Sequence, residues 1–171
     1  MTMDANAVRP RGIRSRAAVV VSTVFGIGYA PIAPGTWGTA AAVPLVLASA
    51  GLTQWGYLAL CACVTVVAIA AAGEASRAFG QHDCQRIVVD EVAGYFWTMV
   101  AVDRTDPVML LAGFVLFRAA DMLKPPPARA IDDRMTGGAG VVLDDVVAGI
   151  WAAAALVALD RSGVLGYMRW P

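Results

Sequence analysis

Histidine occurs once and cysteine three times in this 171-residue chain, and the shortage excludes several chemistries at the outset. One imidazole, His82, leaves no room for a multi-histidine metal centre. Cys61 and Cys63 lie inside an apolar run and Cys84 stands alone in a polar segment. With an odd count and no C-x-x-C pair, neither a disulfide framework nor a thiolate zinc site is supported. Charge is scarce as well, at 15% of residues where soluble domains carry about 25%. Thirteen basic and thirteen acidic side chains cancel, so no basic field invites a nucleic acid. Apolar residues take up the remainder: 58% of the chain is hydrophobic and its mean hydropathy is +0.64. Both departures point to lipid as part of the solvent.

The length suits one domain. Arg9, Arg11, Arg14 and Arg16 precede a short apolar stretch, Ala17 to Phe25, that runs into Gly26, Gly28, Pro31 and Pro34. No small-residue cleavage site follows, so residues 1–16 read as a basic arm on the cytoplasmic side rather than a signal peptide. A single helical catalytic domain is expected over 17–160 and a short polar tail over 161–171. Within the domain, the apolar block Thr36 to Gly73 is interrupted at Gly51 to Gln54. A span needs about 20 residues to cross ~30 Å of hydrocarbon, so this block predicts a helical hairpin. Trp55 and Tyr57 would be interfacial anchors near its tip. A second block, Arg86 to Lys124, is broken at Asp103 to Pro107 and predicts another hairpin; a third runs from Val141 to Leu159. The expected fold is all-α, a compact bundle of about five or six helices, several embedded in the membrane as helical hairpins.

Two hairpins would return the chain twice to the side from which it starts. The basic arm, the Gly/Pro segment and the loops at 74–90 and 118–143 would then share one face. Most Lys and Arg fall there and only Arg104, Arg161 and Arg169 fall opposite, which makes the shared face cytoplasmic by the positive-inside rule. The alternative is a soluble all-helical protein with a very apolar core, since buried helices carry similar runs.

Acidic residues gather at the ends of the apolar segments. Asp90-Glu91 opens Val92 to Val102, Asp121 closes Leu110 to Phe117, and Asp144-Asp145 opens the last block. Carboxylates at a membrane boundary are costly unless paired or bound to a cation. Gly94 follows Glu91 by three residues and Gly149 follows Asp145 by four, on the same helix faces as the acids. Small residues one turn away let neighbouring helices approach, so the carboxylates could converge. Five hard oxygen donors suit Mg²⁺ or Mn²⁺ better than zinc. For Asp90, Asp144 and Asp145 taken singly, simple complementation of a helix dipole accounts equally well.

Cations accompany these acids. Arg118, Asp121 and Lys124 recur every three residues and would share a helix face. Pro125 pushes Lys124 out of helical conformation and marks the helix end. Lys and Arg beside a carboxylate-bound metal are what a phosphoryl site needs, although Arg118 and Asp121 could equally be an ordinary intrahelical pair. Gly35-Thr36-Trp37-Gly38-Thr39 offers backbone N–H groups and two hydroxyls where a helix should begin, which favours either an anion or a rigid re-entrant loop. It is not a P-loop, lacking Gly-Lys-[Ser/Thr]. Gly137-Gly138-Ala139-Gly140 reads as a mobile flap ahead of Asp144.

Together these residues resemble the phosphatidylglycerophosphatase A family. The resemblance is carried by Pro-Ile-Ala-Pro-Gly-Thr-Trp-Gly-Thr at 31–39 and by His82-Asp83 followed by Ile-Val-Val-Asp-Glu-Val-Ala-Gly at 87–94. It continues in Phe-Arg-x-x-Asp-x-x-Lys-Pro-x-Pro-x-Arg at 117–129 and Gly-Gly-x-Gly-Val-x-x-Asp-Asp-Val-Val-Ala-Gly at 137–149. It implies an all-helical fold and Mg²⁺-dependent hydrolysis of phosphatidylglycerophosphate to phosphatidylglycerol and inorganic phosphate. The setting would be a bacterial inner membrane, crossed several times, with the site facing the cytoplasm. Some relatives of this kind are soluble, with less hydrophobic helices. Carried onto this chain, the resemblance makes Asp90, Glu91, Asp121, Asp144 and Asp145 metal ligands, and Asp90, Glu91, Asp121, Lys124 and Asp145 the catalytic group. Arg118, Lys124 and Arg129 would bind phosphate. Gly35, Thr36, Gly38 and Thr39 would shape the pocket, and His82 or Asp83 would orient water or the leaving glycerol. A carboxylate-lined cation transporter and a lipid phosphotransferase remain as rivals, the latter without its spaced Asp-x-x-Asp-Gly-x-x-Ala-Arg motif here. The oligomeric state stays open.

Overall fold

The computed structural model describes residues 12–81 and 84–168. Among them the chain forms seven α-helices, more than the five or six expected, and no strand. They are α1 (Ile13–Ser22), α2 (Pro34–Ala48), α3 (Gln54–Phe79), α4 (Val89–Thr98), α5 (Pro107–Leu123), α6 (Ala128–Arg134) and α7 (Gly137–Arg161). Helix α1 therefore takes in Arg14 and Arg16 of the basic segment. Local chemistry sets many of the ends. Pro34 and Pro107 stand in first turns, where a missing N–H costs nothing. Thr53 Oγ1 accepts from Gly56 N at 3.2 Å and Asp106 Oδ1 from Val108 N at 2.8 Å, capping α3 and α5. Gly80 closes α3 in the left-handed conformation.

Helix α7 is the centre of the bundle, with α3, α4, α5 and α6 packed around it. It crosses α4 backbone to backbone. A Cβ on Gly149 would run into the backbone of Gly94, and one on Gly94 would lie 2.7 Å from Asp145 O, so both positions require glycine. Gly138 makes the same kind of approach to Ile69 and Gly73 of α3. Tyr57, Tyr95, Met99, Met109, Phe117 and Leu156 fill the core beneath these crossings. Tyr57 is thus no interfacial anchor: its hydroxyl donates to Phe96 O at 2.9 Å and Arg104 lies 4.0 Å over its ring. Trp55, by contrast, is exposed.

The α2–α3 and α4–α5 turns meet at one end of the bundle, where Gln54 Nε2 donates to Val100 O at 2.7 Å and Arg104 Nη2 to Leu52 O at 3.3 Å. Pro31, Ala33, Gln85, Ile87, Lys124 and Asp132, from the connections and the short helix at the other end, gather around one pocket there.

Among the described residues two helices, α3 and α7, are long and apolar enough to cross a membrane. The several embedded hairpins expected from the length and interruptions of the apolar blocks are not formed among the described residues. Helices α2, α4 and α5 have 15, 10 and 17 residues, or roughly 22, 15 and 26 Å of rise, short of the ~30 Å hydrocarbon core. The apolar runs overstate the helices: α4 stops at Thr98 although the run continues to Val102, because the chain must turn at 99–106 to reach α5.

Candidate active site

At the end of the bundle where α4 begins and α5 finishes, a pocket of about 440 Å³ opens beside α7. Asp90 and Glu91 line it from the first turn of α4; Arg118, Asp121 and Lys124 from the last turns of α5; Asp144 and Asp145 from α7. The glycine crossing of α4 on α7 sets their spacing. Asp90, Glu91 and Asp145 each present a carboxylate oxygen within 4.8 Å of the others, a separation that could hold a divalent cation. Gly35, in the first turn of α2, closes the other wall so tightly that a Cβ there would overlap Glu91 Oε1.

Arg118 bridges two helices: Nη1 is 2.7 Å from Asp121 Oδ2 on its own helix and 3.7 Å from Glu91 Oε1 on α4. The ordinary intrahelical pair is therefore real and is also part of the site. Lys124 Nζ lies 2.8 Å from Asp144 Oδ2 and 2.7 Å from Asp132 Oδ2. The lysine ends α5 in the left-handed conformation, with φ 45° and its N–H donated to Ala120 O at 2.8 Å. That conformation costs about 1–2 kcal/mol in a non-glycine residue, and Pro125 next to it already disfavours the helical one.

Among the described residues, six carboxylates and these two cations line the pocket. Burial, then the neighbouring Glu91 charge, pushes the Asp90 carboxyl well above its ordinary range. Burial also raises Glu91. Burial alone would lower Lys124, but hydrogen bonds and charges from Asp132 and Asp144 outweigh it and raise its pKa. Glu91 Oε2 and Asp144 Oδ1 are buried without a hydrogen-bond partner, an arrangement that is costly unless a cation meets them.

Not every expected residue reaches the pocket. Gly35 does, but Thr36, Gly38 and Thr39 do not line it: Thr39 Oγ1 donates to Gly35 O at 3.0 Å, and Gly38 abuts Val88. Arg129 is exposed on α6, away from the lining. His82 and Asp83 lie outside the described residues. Gly137 to Gly140 form the first turn of α7 and not a flap, so Asp144 and Asp145 sit about two turns inside the helix. A dipole effect confined to the first turn no longer accounts for these two acids. Asp132, which sequence reasoning missed, lines the pocket from α6. Its signal was the Asp132-Asp133 pair, a further acidic pair just beyond Lys124.

The family model described as phosphatidylglycerophosphatase A (PgpA) matches residues 20–160. The phosphatidylglycerophosphatase A of Escherichia coli (strain K12) is 35% identical over 144 residues, 84% of each chain. That of Haemophilus influenzae is 35% identical over 137 residues, 80% of this chain and 84% of its own. A Bacteroides thetaiotaomicron protein with the provisional name phosphatidylinositol-3-phosphatase is 36% identical over 141 residues, 78% of this chain and 87% of its own. No solved structure matches. With the family model covering the whole of the pocket and its supporting helices, the chain belongs to the phosphatidylglycerophosphatase A family.

Proposed function

We propose that this chain hydrolyses phosphatidylglycerophosphate to phosphatidylglycerol and inorganic phosphate, with Mg²⁺ as cofactor and Mn²⁺ as a substitute. The observation that carries the reading is the gathering of Asp90, Glu91 and Asp145 with Arg118 and Lys124 on one pocket. The donor set fits a hard cation: all ligands are carboxylate oxygens, and Glu91 Oε2 and Asp144 Oδ1 lack other partners. Asp90, Glu91 and Asp145 would hold the ion, with Asp121 and Asp144 completing the set. When bound, it would polarise the phosphoryl group and lower the pKa of water.

The rest falls to the chain's own groups. Arg118 and Lys124 hold non-bridging oxygens of the phosphate by charge-assisted hydrogen bonds. One carboxylate of the Asp90, Glu91, Asp145 group takes a proton from water as its oxygen bonds to phosphorus, and a proton returns to the phosphatidylglycerol oxygen released when its P–O bond breaks. The α2 N-terminus at Pro34 and Gly35 adds partial positive charge at the pocket wall. His82 or Asp83 would orient water or the leaving glycerol hydroxyl of phosphatidylglycerol. Positioning and charge stabilisation are the main demands of phosphoryl transfer.

A lipid substrate is supported by the rim. Ile32, 77% exposed, stands between the lining residues Pro31 and Ala33; Met122 and Leu123, 79% and 80% exposed, stand between Asp121 and Lys124. Apolar side chains offered to solvent around a charged pocket suit a membrane surface. Helix α3 ends and α7 begins at the pocket end, so two antiparallel passes would hold the site at one face of a bacterial inner membrane. Arg77, Arg86, Arg118, Lys124, Arg129 and Arg134 belong to that end, which favours the cytoplasmic face. Residues 17–160 would act as one catalytic unit. Transport has no comparable support, since the carboxylates share one end of the bundle with cations and do not line a path through it.

The test is inorganic phosphate release from phosphatidylglycerophosphate in detergent micelles, with Mg²⁺ and with EDTA. Release should require the metal and fall about 10²-fold or more in Asp90→Asn. Intact turnover in that variant, or none from folded wild-type protein, would sink the reading.

A further inference from the structure

Lys124 is held by two carboxylates of unequal standing. Asp144 belongs to the central helix and its side chain is 6% exposed; Asp132 belongs to the seven-residue α6 and its side chain is 40% exposed. Helix α6 is fixed at its start, where Ala128 is buried and Trp151 Nε1 donates to Pro126 O at 2.8 Å. From there Asp132 reaches the ammonium from the pocket's solvent side. An ammonium has three donors, each suited to an anionic oxygen. Asp132 thus offers Lys124 what a phosphate oxygen would offer. Asp144 cannot leave without burying an unpaired charge, whereas Asp132 can turn its carboxylate into water, because an exposed ion pair is weak.

We propose that Asp132 is a resident competitor for Lys124: it pairs with the ammonium while the site is empty, yields to the phosphate of substrate or product, and so weakens phosphate retention. The inference rests on Lys124 as a phosphate ligand, as argued above. It gives the site a built-in means of releasing product. Asp132 acts through Lys124 and is a positioning residue.

The experiment is binding of inorganic phosphate to the Mg²⁺-loaded full chain in micelles, by calorimetry and as inhibition of hydrolysis. Asp132→Asn should bind phosphate about two- to fivefold tighter, the range that removing one competing exposed ion pair gives, and KM should fall while kcat does not rise. Asp132→Ser, a second uncharged replacement, should do the same. Asp133→Asn removes the same charge from a residue that does not line the pocket and should change phosphate affinity by less than about twofold. In a Lys124→Gln background, Asp132→Asn should lose its effect, because the competitor has lost its object. Weaker or unchanged phosphate binding in both Asp132 variants, with Lys124→Gln still weakening it, would overturn the inference alone. Unchanged phosphate binding in Lys124→Gln would remove Lys124 from the phosphate site, and this inference with it.

Discussion

At Gly35 a hydrogen stands where any side chain would meet Glu91 Oε1, with Arg118 Nη1 3.2 Å from the same point. The neighbour that must give way is the far end of a flexible side chain, so the fold can absorb a methyl group but the carboxylate cannot keep its place. Gly35→Ala should therefore leave the melting temperature within a few degrees of wild type and weaken Mg²⁺ binding about tenfold or more, read by calorimetry. Unchanged metal affinity would detach Glu91 from the cation site. At this scale the sequence carries much of the site, because ionisable residues beside apolar runs are few and each demands a partner. Asp132 was harder to see. Its charge looks like any exposed helix acid until the Pro125 to Pro127 turn brings α6 back to Lys124.

Helix packing governs what the carboxylates can do together. Gly94 and Gly149 let α4 and α7 approach until backbone meets backbone, and the neighbour of a Cβ on Gly149 is a carbonyl that cannot turn away. Gly149→Ala should cost at least about 2 kcal/mol by overpacking and lower Mg²⁺ affinity as well, because α4 carries Asp90 and Glu91 away from Asp145. Urea unfolding and metal titration together check this. Gly51→Ala, with nothing within 4 Å of the added Cβ, should change neither. The same packing explains the misread start of α7. Glycine is a poor helix former, so Gly137 to Gly140 look like a loop, yet Gly138 fits against Ile69 and Gly73 where no side chain could. Close tertiary contact, absent from local propensity, decides the helix there.

For the molecule as a whole, the acidic pocket couples stability to pH, and on the proposed metal site it would couple it to a cation as well. Asp90 and Glu91 have folded-state pKa values raised above those of the unfolded chain. Without metal, the folded state thus keeps protons that the unfolded state has already lost. Stability must then fall as pH rises from the ordinary carboxylate range through the raised values. On the proposed metal site, a divalent cation would replace those protons and stabilise the folded state increasingly as pH rises. Thermal melts at pH 5, 6.5 and 8 (values within roughly the usual stability range) should show a falling Tm in EDTA and a growing gain from Mg²⁺. A Tm in EDTA that is flat or rises over this range would contradict the raised carboxylates.

By itself the sequence determined the helical class, the acidic and basic members of the pocket other than Asp132, and the glycines between α4 and α7. Each of these follows from a local cost: an unpaired charge near lipid, or a helix face that must be small. Only the tertiary structure decided the rest. It limited the spanning candidates to α3 and α7, turned Tyr57 inward, left Arg129 outside the pocket and set Asp132 on Lys124. Those outcomes depend on where helices stop and which neighbours they meet, and an apolar run fixes neither.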